Sequence, residues 1–126
     1  MGSSVFVFGS NEAGIHGGGA ARFALDHHGA IWGKGVGIQG SSYAIPTKDH
    51  QIQTLSLDEI AHYIRWFFEY AERHPDTIFH VTQIGCGLAG LEPKDMAPMF
   101  KDAPVNCLFS SAWEPWLPGR EWWTDK

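Results

Sequence analysis

The stretch FHVTQIGCGLAG, from Phe79 to Gly90, limits what this chain can fold into more than any other. Phe79, Val81, Thr82 and Ile84 form a short run rich in β-formers that reads as a buried strand. The run breaks off into Gly85, Cys86, Gly87, Leu88, Ala89 and Gly90, a loop with three positions free of Cβ. Backbone N–H groups in such a loop can turn toward an anion and let it approach closely. A second stretch of the same kind, Gly14-Ile15-His16-Gly17-Gly18-Gly19, follows the apolar run Val5-Phe6-Val7-Phe8 and precedes the helix-forming Ala20-Ala21-Arg22-Phe23-Ala24-Leu25. Two glycine loops at strand ends imply an α/β sheet with one nucleotide-sized cleft beyond the carboxyl ends of its strands.

Asn11 falls at the tip of the first strand. Its carboxamide either contacts a ribose or amide or closes an Asx-turn. His16, inside the first glycine loop, is either a solvent-facing loop histidine or part of the site. His27 and His28 end the first helix and read as surface residues, because adjacent histidines without partners at i+3 or i+4 do not converge on a metal. Gly35-x-Gly37-x-x-Gly40 and Gly85-x-Gly87-x-x-Gly90 have the spacing of a dinucleotide fingerprint but lack its strand–turn–helix setting. Gly29-x-x-x-Gly33-Lys34 is one residue short of a P-loop and has no Ser or Thr after the Lys. Cys86 has no His assignable as its base, since His80 lies a strand's length away.

Ser42 to Lys48 reads as a strand that Pro46 confines to an edge or a strand end. Ser56-Leu57-Asp58-Glu59 is a capping box. It opens the longest helix, with Leu57, Ile60, Ala61, Ile64, Phe67, Phe68 and Ala71 on one apolar face. Pro93 starts a short helix that Pro98 makes irregular, and Val105 to Phe109 is the last strand expected. The segment 110–126, rich in Trp and Pro, is expected to pack back onto the domain.

The 126 residues fit a single domain, 1–126, and no apolar run is long enough to span a membrane. The start lacks a basic signal-peptide region, so a cytoplasmic protein is expected. Two cysteines outside any C-x-x-C pair imply reduced thiols, with no disulfide framework and no metal site. A formal charge of −5 argues against a sequence-independent grip on nucleic acid.

The order of Val5 to Asn11, AGIHGGGAARFA, SYAIPTK, the long helix and TQIGCGLAG resembles a macrodomain, a three-layer α/β/α sandwich with a compact mixed sheet that binds ADP-ribose. The resemblance implies a ligand that is ADP-ribose or an ADP-ribosylated macromolecule, held without a cofactor. It places the ligand on Asn11, His16, Gly17, Gly18 and Gly19, and on Gly85, Cys86, Gly87, Leu88, Ala89 and Gly90. It is nearest to the ADP-ribose glycohydrolases that pair a Lys after the middle strand with an Asp in the diphosphate loop. Lys48 matches that catalytic Lys, whereas Ala89 stands at the Asp position. A binder is therefore expected first, a hydrolase acting through Lys48 second, and an interaction module third. The family's adenine-reading Asp precedes the Asn-bearing strand and has no counterpart here, so adenine recognition is expected from the Trp-rich segment, or else for a different nucleotide.

Overall fold

A computed structural model describes residues 3–123. Met1, Gly2 and residues 124–126, which belong to the expected leaderless start and to the end of the 110–126 segment, lie outside the described residues. The chain runs β1 (Ser3–Asn11), α1 (Gly19–His27), β2 (Gly37–Gln39), β3 (Ser42–Lys48), α2 (Leu57–Glu72), β4 (Thr77–Val81), α3 (Pro93–Met96), β5 (Cys107–Ser110) and β6 (Trp122–Trp123). Tight 3₁₀ turns occupy Ala97–Phe100 and Ser111–Trp116.

The sheet order is β2-β3-β1-β4-β5-β6, parallel throughout except for the antiparallel edge strand β2. β1 lies between β3 and β4, so the tips that carry Asn11 and the β4 loop are neighbours. Alternation along β1 sends Val5 and Val7 to one face and Phe6 and Phe8 to the other. The valine face packs under α2 and the α3 region, where Ile45, Phe67, Phe79, Phe100, Phe109 and Trp113 are fully buried. The phenylalanine face carries α1 on a small cluster of Phe8, Ala21, Ala24, Ala30 and Ala44. The result is three layers, with a large core on one side of the sheet and a small one on the other.

The capping box of α2 is present, with Ser56 Oγ accepting from Glu59 N at 3.2 Å and Glu59 Oε1 accepting from Ser56 N at 3.1 Å. Ile60, Ile64, Phe67 and Ala71 form its buried stripe. Leu57 does not join them: it is 41% exposed, because the first helical turn overhangs the end of the sheet-facing stripe. Pro46 lies within β3 beyond the last pair with β2, Gly37 with Ala44, so its missing N–H breaks no ladder bond on that side. The last strand starts at Cys107 rather than Val105, which is 91% exposed, and a further edge strand, β6, follows it. The Trp-rich segment packs back as expected: Trp113 and Leu117 are buried and Trp122 is half-buried. Both cysteines are free thiols. No helix among the described residues is long and apolar enough to cross a membrane.

Candidate functional site

A cleft of about 920 Å³ opens beside α1, within the range that small-molecule sites occupy. Its central part is made by the two glycine loops. Gly18 and Gly19 open α1, a helix with no side-chain cap and no acidic residue in its first turn, so its leading N–H groups, which have no acceptor among the described residues, lie at the cleft wall. Across from them stand Gly85 to Ala89. The backbone folds there into two tight turns, with Cys86 N donating to Gln83 O and Gly90 N to Gly87 O, each at 3.0 Å, and Leu91 N closes the wider loop on Gly85 O at 2.8 Å. The first turn needs Gly85, whose φ is +80°. The N–H groups of Gly87, Leu88 and Ala89 donate to no acceptor among the described residues. Thr54 Oγ1 braces this loop from outside, donating to Ala89 O at 3.1 Å. The loops meet across the cleft through Leu88, whose Cδ1 lies 3.2 Å from where a Cβ on Gly18 would stand.

Asn11 and Lys48 are cross-strand partners at the tips of β1 and β3, and both line the cleft. The Asn11 carboxamide is engaged with its own loop, Nδ2 donating to Ile15 O and Oδ1 accepting from Ile15 N, each at 2.9 Å. One Nδ2 hydrogen is left over. Behind it, Gly35 passes so close that a Cβ would sit 2.0 Å from Asn11 O. Lys48 is half-buried and is the one formally charged side chain on the cleft wall; no carboxylate lines it among the described residues. Asp49, next in the chain, turns away and accepts from Gln51 N and Gln53 N at 2.9 and 3.0 Å.

Three residues expected at the site are elsewhere. His16 is fully buried, edge-on to Phe8 at 5.4 Å, with Nε2 at 3.0 Å from Lys34 O. A carbonyl only accepts, so Nε2 carries the hydrogen and His16 ties its loop to the 33–39 segment. Its Nδ1 has no hydrogen-bond partner among the described residues. Gly17 and Gly90 flank the loops without lining the cleft. Cys86 does line it, but burial pushes its thiol up and Glu92 adds to this, with the nearby Trp113 indole working the other way without a hydrogen bond to it. The thiol stays protonated near neutrality, and no imidazole is among its hydrogen-bond partners.

The far end of the cleft carries residues that the local sequence did not single out: Phe6, Phe23, His28, His80 and Trp123. Phe6 and His80 are register partners in β1 and β4 and share a face. His28, expected at the surface, is half-buried and stacks on Phe6 with centroids 4.6 Å apart, because the end of α1 lies over β1; His27 is exposed. Burial lowers the pKa of both cleft histidines, helped by His27 at His28 and by His28 at His80. The signal available in the sequence was the alternation of Val5 to Phe8, which faces Phe6 toward α1; Trp123 arrives only through sheet order. No group of three or more His, Cys, Asp or Glu able to hold a metal occurs among the described residues.

No family model matches the chain, and no curated protein matches it. Among solved structures it is similar to one described as Thermosipho africanus DarTG in complex with ADP-ribose, with a TM-score of 0.59 and 17% sequence identity. The match covers 85% of this chain and 38% of that one, so this chain spans well under half of that protein's length. At this identity the likeness concerns architecture, and the architecture is that of a macrodomain-like α/β fold.

Proposed function

We propose that the protein binds ADP-ribose, or a related nucleotide diphosphate, across the two glycine loops. The observation that carries this is the convergence of unpartnered backbone N–H groups, from the start of α1 and from Gly87, Leu88 and Ala89, on one cleft of suitable size. The fold's likeness to a structure solved with ADP-ribose supports the choice of ligand. Asn11 keeps one donor for a ribose hydroxyl, and Leu88 covers the diphosphate from above.

The test is thermal unfolding with ligand. At one hundred times its Kd, ADP-ribose adds about 2.7 kcal/mol by mass action, whereas adenosine, which forgoes the phosphate contacts, adds far less. A Cβ at Gly87 meets nothing within 4 Å, so Gly87→Leu should keep the fold and weaken ADP-ribose. Equal stabilisation by ADP-ribose and adenosine would refute the reading.

A second reading, hydrolysis of an ADP-ribosyl bond through Lys48, is favoured by one observation: Lys48 lines the cleft with no acidic side chain on the wall among the described residues. The same observation leaves the proton transfers without a carboxylate. Binding is therefore the primary function proposed.

A further inference from the structure

The cleft has two chemically different ends. Lys48 and the loop amides occupy one, and aromatic rings occupy the other. At the aromatic end His28 is stacked on Phe6, the two ring planes 9° from parallel. Trp123 stands edge-on to His80 at 5.1 Å and to Phe6 at 6.4 Å. The indole N–H of Trp123 is already committed to Val81 O at 3.1 Å, which fixes the ring and removes it as a donor to a ligand. The nitrogens of His28 and His80 are different: neither ring makes a hydrogen bond among the described residues. Half-buried and without hydrogen-bond partners among the described residues, they are, with the exposed Ser4 beside Phe6, the polar side chains that this apolar end offers to whatever enters it.

A flat aromatic ligand suits such a surface, and the edge of a purine needs both a donor and an acceptor. Adenine offers an amine hydrogen at position 6 and a bare N1; hypoxanthine offers a carbonyl and an N1–H, the reverse pattern. A carboxylate only accepts and would separate the two, but none lines the cleft among the described residues. A neutral imidazole carries one N–H and one bare nitrogen, and the tautomers exchange these roles. Burial disfavours the protonated form of both rings, which keeps that exchange available.

We infer that the aromatic end holds the ligand's purine base through His28 and His80, and that it accepts adenine and hypoxanthine alike. The inference rests on the ADP-ribose reading for the rest of the ligand. Calorimetry on the full chain near neutral pH tests it with three probes: ADP-ribose, its hypoxanthine counterpart IDP-ribose, and ribose 5-diphosphate, which has no base. The two nucleotides should bind within about three-fold of one another, and the baseless probe at least about ten-fold more weakly. His80→Phe keeps the ring and removes its nitrogens; it should weaken both nucleotides about ten-fold and leave ribose 5-diphosphate unchanged. A preference above about ten-fold for either base, or nucleotide affinities untouched by His80→Phe, overturns the inference.

The outcomes separate the two readings. If ADP-ribose and ribose 5-diphosphate bind equally, the base site falls and the diphosphate reading stands. If ribose 5-diphosphate fails to bind while AMP binds and weakens in His80→Phe, the diphosphate reading falls and the base site stands. Absence of binding by all of these overturns both. Should His80→Phe not fold, the comparison of the three probes on the unaltered protein still decides.

Discussion

Lys48 and the histidine pair show how single residues acquire roles from their surroundings. An ammonium cannot attack an anomeric carbon until it loses its proton, and Lys48 has no carboxylate on the cleft wall to receive it. The unaltered protein should therefore release ADP-ribose from carboxylate-linked substrates slowly or not at all. Ala89→Asp, which puts an acid on the same loop, should raise that rate by about ten-fold or more, and Lys48→Ala should abolish the gain; chromatography of released ADP-ribose checks both. Fast turnover that survives Lys48→Ala would put the chemistry on another residue. The histidines yield a stability prediction. His28 and His80 have folded pKa values below the ordinary 6.5, so below that pH the unfolded chain binds more protons than the folded one. Their contribution is complete above about 6.5 and is lost as pH falls toward the folded values. Urea unfolding at a series of pH values should show this decline, and His80→Phe should flatten it. The tip positions of Asn11 and Lys48 were legible in the sequence, since each follows a strand-like run. The burial of His16 and the place of His28 were not, because Lys34 and Phe6, which define them, are distant in the chain.

At the scale of elements, local codes were readable where the element carries them itself. The capping box of α2 is one: Ser56→Ala removes its Oγ acceptor for Glu59 N and should cost about 1 kcal/mol, read as a Tm lower by roughly 4 °C. An unchanged Tm would mean that water replaces the cap without loss. The buried stripe Ile60, Ile64, Phe67, Ala71 was equally plain from its period. Three-residue β2 and two-residue β6 were not, because strands so short show no alternation and exist by virtue of β3 and β5 beside them. β4 stops at Val81 although β-formers continue: Thr82 N makes the last ladder bond, to Val7 O at 3.1 Å, Thr82 Oγ1 donates to the same oxygen at 2.8 Å, and Ile84 N then turns back onto Thr82 O at 2.8 Å. That turn aims the glycine loop at the start of α1.

On the scale of the whole molecule, charge and topology decide how the cleft works. The chain carries a net −5, yet the cleft wall holds one cation and no anion among the described residues, so an anionic ligand is met chiefly by backbone dipoles. Fixed amides at contact distance are screened far less than surface charges. The affinity for ADP-ribose should change by less than about three-fold between roughly 0.05 and 0.5 M salt; a steep loss, measured by titration, would point to charged side chains supplying the contacts. The sequence order of loops and strands conveyed this cleft, but its aromatic end depends on Trp123 reaching β1 and β4, which no local pattern announces. The central position of β1 also sets a timetable for synthesis. Ser3 pairs with Thr77, and Phe6 with both Ser42 and His80, so β1 gains its second neighbour only once β4 has been made. At roughly 5–20 residues per second on the ribosome, Val5 to Phe8 spends seconds as a naked apolar strand. Ribosome-bound chains that end before Thr77 should therefore expose apolar surface of the kind that chaperones hold, and a pause in translation across α2 should prolong that exposure.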